Sequence, residues 1–279
     1  MYKIVTKRRL NSVVVLIEVE APFIARKCEP GQFVVVRVDE NGERIPLTIA
    51  DFNRSKNTIT LIYQELGYST KQLSTKNIGD FLQDVAGPLG VPAELERWDK
   101  VLGIGGGVGA APLYPQLKKL AGKGTEVDVI LGGRTAELVI LENEFKAFVH
   151  ELTVATDDGS YGMKGTVVDA LLKLTQTKHY DKVIAIGPLP MMRAVVGQTK
   201  KLNLPTMVSL NPVMIDGTGM CGGCRVTIGG ETKFACIDGP DFDGFQVDFD
   251  ECMRRQTMYK KNERQYEETH NCLIGLENK

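Results

Sequence analysis

The 279-residue sequence has no long apolar run. Its longest apolar stretches, such as 13–17, are strand-length and far short of the ~18 residues that cross a bilayer. The amino terminus, MYKIVTKRRLNS, is basic but has no apolar segment ahead of a small-residue cleavage site, so no signal peptide is expected. A charge excess is also absent. Thirty-four Lys and Arg face 35 Asp and Glu, for a formal net charge of −1. That balance gives no reason to expect nucleic acid or an anionic membrane as partner. There is no internal repeat. Only three histidines occur, His150, His179 and His270. They share no motif with the cysteines and are expected to be surface or capping residues. The expected compartment is the cytoplasm, where clustered cysteines are more often metal ligands or reactive thiols than disulfides.

With 43% hydrophobic and 25% charged residues, the composition is that of an ordinary globular protein. The length suffices for two compact domains and a small one. The most informative segment is Asp216-Gly-Thr-Gly-Met-Cys221-Gly-Gly-Cys224, with Cys236 further on. Plant-type [2Fe–2S] proteins space their ligands C-x4-C-x2-C before a distant fourth cysteine. Here an aspartate stands at the first position. Glycines 217, 219, 222 and 223 let the backbone wrap a ligand and turn its N–H groups inward. The rival is zinc on Cys221, Cys224, Cys236 and a fourth cysteine. Cys252 could also replace Asp216 as fourth ligand. Cys28 reads as a small buried hydrophobe, and no role is assigned to Cys252 or Cys272.

The chain divides by pattern. Residues 1–97 hold short β segments (13–18, 32–38 and 58–64) between turn signals, and they predict a β-barrel. A short helix and loop are expected over 69–82. Residues 98–210 alternate strand and helix, with strands at 100–104, 127–131, 152–156, 182–186 and 206–210. Helices are expected at 111–121, 137–147, 167–175 and 191–201. That alternation predicts a parallel sheet covered on both faces. Residues 211–279 turn glycine- and cysteine-rich and end in a charged segment, expected to be helical from 250.

Gly105-Gly106-Gly107-Val108-Gly109-Ala110-Ala111-Pro112 lies between a predicted strand and helix. Glycines there let a pyrophosphate approach the backbone and the helix N-terminus. The Ala-Pro ending departs from the usual dinucleotide fingerprint. Asp128, about 20 residues on, is either the ribose-binding acid of that fingerprint or a plain strand residue. A second loop at a strand end, Gly187-Pro188-Leu189-Pro190-Met191-Met192, is either a ligand loop or a proline-rich turn with packed methionines.

These segments carry a family resemblance. Arg44-Ile45-Pro46-Leu47-Thr48 resembles the flavin-binding R-x-x-S/T segment of the ferredoxin–NADP reductase superfamily. Gly67-Tyr68-Ser69-Thr70 resembles its second flavin loop, and Gly87-Pro88-Leu89-Gly90 its barrel-closing turn. The two loops at 105–112 and 187–192 resemble its nicotinamide loops. The resemblance spans essentially the whole chain in order. It implies FAD held by Arg44, Pro46, Leu47, Thr48, Gly67, Ser69 and Thr70. It implies NAD(H) held by Gly105, Gly106, Gly107, Gly109, Ala111, Pro112, Gly187, Pro188 and Met191. Arg134 would reach a 2′-phosphate if the nucleotide were NADP, although resemblance to the electron-transfer subunits favours NAD(H). Asp216, Cys221, Cys224 and Cys236 would hold the cluster. No acid–base catalytic residue is implied, because the hydride chemistry belongs to the flavin.

Within the superfamily the chain resembles two groups of electron-transfer subunits. Those of dihydroorotate dehydrogenase carry four cysteines at the cluster. The Asp-plus-three-Cys set is similar to the small subunit of NADH-dependent ferredoxin:NADP oxidoreductase, an electron-bifurcating enzyme. That likeness implies a larger iron–sulfur flavoprotein partner, related to the glutamate synthase small subunit, and ferredoxin as an indirect partner. A cofactor-binding sensor without turnover is the reading from another class.

Overall fold

A computed structural model describes residues 1–260, 262 and 265. The first half of the fold is a curled antiparallel sheet. Its elements are β1 (Tyr2–Arg9), β2 (Val14–Glu20), α1 (Pro22–Lys27), β3 (Phe33–Arg37), β4 (Arg44–Asn53) and β5 (Thr58–Gln64). They continue with α2 (Tyr68–Thr75), β6 (Phe81–Leu82) and β7 (Asp84–Leu89). Strand order is β6-β1-β2-β5-β4-β3-β7. Only Gln83 separates the two edge strands, so chain continuity closes the curl. β-branched and aliphatic side chains fill the inside: Val15, Ile17, Val34, Val36, Ile49, Ile59 and Leu61 are all at most 1% exposed.

The second half is a mostly parallel sheet. Its elements run β8 (Lys100–Gly106), α3 (Ala110–Gly122), β9 (Glu126–Gly133), α4 (Glu142–Lys146), β10 (Glu151–Thr156), β11 (Met163–Lys164), α5 (Val167–Thr175), β12 (Lys182–Ile186), α6 (Leu189–Lys201) and β13 (Thr206–Ser209). β8 and β9 are buried almost throughout, as strands covered on both faces must be. α5 starts on a capping box. The Thr166 hydroxyl accepts from the Asp169 amide, and the Asp169 carboxylate accepts from the Thr166 amide.

The chain then forms a hairpin, β14 (Arg225–Ile228) and β15 (Glu231–Phe234), followed by β16 (Asp241–Asp243) and α7 (Phe249–Gln256). β16 lies beyond residue 210 yet pairs antiparallel with β13, completing the order β11-β10-β9-β8-β12-β13-β16. Phe33 and Val35 of β3, Val195 of α6, and Cys224, Cys236, Phe249 and Cys252 share one hydrophobic core. Curled sheet, nucleotide sheet and cysteine-rich segment therefore pack as one body. Ion pairs from α3 reinforce the first junction, Lys118 to Asp51 at 2.8 Å and Lys119 to Glu29 at 2.6 Å.

One predicted helix differs. Residues 137–147 are not continuous: a 3-10 turn spans Ala136–Leu138, Leu141 takes a left-handed φ of 62°, and α4 begins at Glu142. Ile140, Leu141 and Phe145 all enter the core beneath α3. Their burial outweighs the helical propensity of the segment. Neither β1 nor the short strands β6, β7 and β16 stood out in the sequence. His270 and Cys272 lie outside the described residues.

Candidate functional site

Three sites follow one another across the molecule. The first is a cleft of about 860 Å³ between β4 and the segment entering the cysteine loop. Pro46, Leu47 and Thr70 line one side, and Val213, Met214 and Ile215 the other. Arg44 lies at its edge, opposite Arg37 in the β3–β4 register. Arg37 is committed to the Gly42 and Glu40 carbonyls. Arg44 is exposed, and among the described residues it has no hydrogen bond or carboxylate partner. A charged fork without a protein partner suits a phosphate. Thr48 is half-buried, opposite Phe33. Ser69 is buried in the first turn of α2. The Thr70 hydroxyl donates to the Gly67 carbonyl and accepts from the Leu66 and Gly67 amides, so its bonding is already used within its own loop.

The second site lies at the carboxyl ends of β8 and β12. A Cβ on Gly106 would stand 2.2 Å from Met191 Sδ, and one on Gly187 2.6 Å from Met191 Cε. The Met191 thioether thus joins the two glycine loops. A Cβ on Gly109 would lie 2.3 Å from the Ile186 carbonyl. Gly105 and Ala111 are buried as well. Only Gly107 faces open space, at φ +55°, just before α3. Pro112 is half-buried and Pro188 exposed. Neither α3 nor α6 has an acid in its first turn, which leaves their positive ends available to an anion. Arg134 is exposed just after β9. Its carbonyl accepts from the Asp158 amide, and that of Gly133 from the Asp157 amide.

Asp128 is not part of this site. It sits near the start of β9, five residues or about 16 Å from the strand's carboxyl end. It is fully buried among Lys178 at 2.8 Å, Lys100 at 3.3 Å, Tyr180 Oη at 2.8 Å and His150 Nδ1 at 3.1 Å. Burial pushes its carboxyl up, but Lys178, Tyr180 and His150 outweigh that and hold it below the usual range. Burial, then Asp128, pushes the Tyr180 phenol up. The ribose reading of Asp128 is corrected: it anchors an ion-pair network. His150, expected at the surface, is mostly exposed but joins it.

The third site is the cysteine loop. Asp216 Oδ1 accepts from the Thr218 amide at 2.8 Å and Oδ2 from the Cys221 amide at 2.9 Å. These bonds, Thr218 first, hold its carboxyl low. Gly229 and Gly230, at φ +59° and +84°, make the two-residue turn between β14 and β15. The hairpin brings its two feet together. Ala235 N bonds Cys224 O, and the Cys224 and Cys236 sulfurs lie 3.1 Å apart. Both cysteines are buried, whereas Cys221 is exposed. Burial first, and then Cys224, pushes the Cys236 thiol up, so a metal ion is what would hold it as thiolate. Cys252 is buried on α7 in the core behind the loop. Three thiols and a carboxylate on one loop and hairpin fit an iron–sulfur cluster.

Comparison with known proteins agrees. Residues 211–248 match the iron–sulfur cluster binding domain of dihydroorotate dehydrogenase B, and residues 104–197 the oxidoreductase NAD-binding domain. A homologue of the dihydroorotate dehydrogenase B (NAD(+)) electron transfer subunit from Thermotoga maritima is 44% identical, covering 94% of this chain and 93% of its own. The electron transfer subunit from Geobacillus thermodenitrificans is 35% identical over 88% of this chain and 96% of its own. The chain belongs to this electron-transfer subunit family.

Membership makes it an oxidoreductase that moves electrons between NAD(H), FAD and an iron–sulfur cluster. A chain from the solved structure of the NADH-dependent reduced ferredoxin-NADP oxidoreductase superposes with a TM-score of 0.91 at 43% identity, covering 96% of this chain and 98% of that one. A cytochrome P450 reductase from Amycolatopsis, 20% identical with a TM-score of 0.61, shares the fold. No helix among the described residues is long and apolar enough to cross a membrane. Sequence reasoning missed Arg37 and the wall at 211–215. The apolar pair Met214–Ile215 directly before Asp216 was the available signal.

Proposed function

We propose that this chain is the NADH-oxidising subunit of a heteromeric NADH-dependent ferredoxin:NADP oxidoreductase of the electron-bifurcating kind. The observation that carries this reading is Asp216 at the first ligand position, its carboxylate held by the amides of the loop it would complete. The 43% identical chain from an NADH-dependent reduced ferredoxin-NADP oxidoreductase, studied for flavin-based electron bifurcation, supports it. The larger partner would be an iron–sulfur flavoprotein related to the glutamate synthase small subunit. The alternative is the electron-transfer subunit of a dihydroorotate dehydrogenase, favoured by the names of the curated relatives.

In this reading Arg44 holds the flavin pyrophosphate, helped by backbone amides at Ser69 and Thr70 on the turn that Gly67 shapes, while Pro46 and Leu47 line the cleft and the Thr48 hydroxyl donates to the flavin. Gly105, Gly106, Gly107 and Gly109 shape the turn at the nucleotide. Ala111 and Pro112 begin the helix behind it, and Gly187, Pro188 and Met191 form its other wall. Asp157 and Asp158 beside Arg134 oppose a second phosphate dianion, which supports NAD(H) over NADP(H). Bound FAD supplies the exchange between two-electron hydride and single electrons. Met214 and Ile215 wall the flavin cleft two residues and one residue before Asp216, so the chain itself makes the step from cleft to cluster short. Asp216 and Cys221 would hold one side of a [2Fe–2S] cluster and Cys224 and Cys236 the other.

Anaerobic affinity purification with mass identification of the co-purified chain tests the reading. A large partner with [4Fe–4S] motifs and NADH- and NADP-coupled ferredoxin turnover is expected. A dihydroorotate dehydrogenase chain in its place would transfer the same site to pyrimidine oxidation and overturn the first reading.

A further inference from the structure

Two arginines grip consecutive carbonyls inside the Cys221–Cys224 turn. Arg225 Nη1 donates to the Gly222 carbonyl at 3.2 Å, and Arg255 Nη2 to the Gly223 carbonyl at 3.0 Å. We propose that Arg225 and Arg255 are positioning residues that raise the reduction potential of the cluster, by turning the amides of this turn toward the cluster sulfurs and by placing a cation behind them. The proposal rests on the reading of Cys221, Cys224 and Cys236 as cluster ligands.

In a trans peptide the C=O and the following N–H point in opposite directions. Holding the Gly222 carbonyl outward therefore aims the Gly223 N–H inward, and that N–H lies 3.4 Å from Cys221 Sγ. Holding the Gly223 carbonyl in the same way directs the Cys224 N–H away from Arg255, toward the ligand side. Gly222, at φ +67° with only Phe234 and Arg225 near its missing Cβ, supplies the backbone freedom this turn requires.

Charge acts in the same direction. Reduction adds one electron to the cluster and no proton, so the reduced form is the more negative. N–H···S bonds and a nearby cation both favour it. The two arginines contribute unequally. Arg225 is exposed, so solvent screens its charge and it acts mainly through geometry. Arg255 projects from α7, whose Phe249 and Cys252 are seated in the core, and its Nε is buried without a partner. Its charge is partly desolvated and held in place by the helix.

The rival is that Arg255 merely pins α7 to the loop. Potential, measured separately from cluster content, separates the two. The test uses the full chain in its native complex, with Arg255→Gln, Arg255→Lys and Arg225→Gln. Iron and sulfide are assayed, and the midpoint potential is read by EPR-monitored redox titration. Arg255→Gln is expected to retain its iron and to shift the reduced-to-oxidised ratio at fixed ambient potential at least tenfold toward oxidised, a fall of 59 mV for one electron. Arg255→Lys, which keeps the cation, should recover most of that shift. Arg225→Gln should fall in the same direction by a smaller factor. A fully loaded Arg255→Gln with the wild-type potential overturns the proposal. If Arg255→Gln loses iron, exposed Arg225 decides, and an unchanged potential in loaded Arg225→Gln overturns it. Cys236→Ser checks the underlying reading apart from this: an unaltered cluster in that variant would remove the ligand assignment, whatever the arginines do.

Discussion

Gln116 of α3 donates to Asp241 of β16 across 3.0 Å, joining the nucleotide domain to the strand that returns from the cysteine hairpin. The contact also touches the curled sheet, because a Cβ on Gly31 would stand 3.0 Å from Asp241 Oδ2. Gln116 Oε1 and Asp241 Oδ1 are buried at this junction without hydrogen-bond partners. Burial pushes the Asp241 carboxyl up to about 6, although nearby Ser209, the Gln116 hydrogen bond and the charge of Lys182 act against it. The group is therefore protonated in the fold at pH values where the unfolded chain has already lost its proton. Stability from this site is full below about pH 4 and is lost as pH rises through about 6. The Asp241→Asn variant should be more stable than the parent at pH 8 by about 1–3 kcal/mol, with little difference at pH 4. Urea unfolding across that range checks the slope.

Asp216→Ala should lose cluster iron, because the first ligand position would hold no donor. Asp216→Cys should keep the cluster and change its EPR signal and potential, since a soft thiolate replaces a hard oxygen. Iron content with EPR measures both. Unchanged spectra in both variants would remove Asp216 from the ligand set.

The Asp128→Asn variant separates a structural acid from a ribose ligand. Lys178 and Lys100 would lose their buried counter-charge but keep Glu151 and Glu126, so the loss should be about 1–3 kcal/mol, the scale of charge-assisted hydrogen bonds. NADH affinity should change less than threefold, because the residue lies at the opposite end of β9. Chemical denaturation and an NADH titration of the same sample give the two numbers.

Arg44→Gln should weaken FAD retention by about 10- to 100-fold, the scale of one charge-assisted contact of about 1.5–3 kcal/mol. Among the described residues Arg44 has no protein partner to lose, so the apoprotein should unfold at the parent's urea midpoint. Flavin content after dialysis is the measurement.

Gly109→Ala should cost about 1–3 kcal/mol, because its Cβ would meet the Ile186 carbonyl, a backbone atom with nowhere to move. The displaced loop should also slow flavin reduction by NADH. Stopped-flow flavin bleaching and unfolding midpoints check both effects.

Much of the molecule is legible along the chain, because the physics behind it is local. Period-2 patterning marks 58–64, and continuous apolar runs mark β8 and β12. The helix expected at 167–175 matches α5. The ligand spacing from Asp216 to Cys236 and the two glycine loops are also read directly, since a tight turn demands particular residues at particular steps. The break at Leu141 is not legible, because burial beneath α3 overrides a helix-forming segment. Nor is β16, a three-residue edge strand whose partner lies more than 30 positions earlier.

The sequence by itself determined which chemistry the chain can carry: the donor set at the cysteine loop, the glycines at the nucleotide turns and the order of the modules. Tertiary structure alone decided which residues face that chemistry. It assigned Asp128 to a buried ion-pair network, set Met214 and Ile215 against Pro46 and Leu47, and laid Arg255 on the Gly223 carbonyl. Donor type and spacing are properties of consecutive residues. These other contacts depend on where separate elements pack, and no local pattern encodes that.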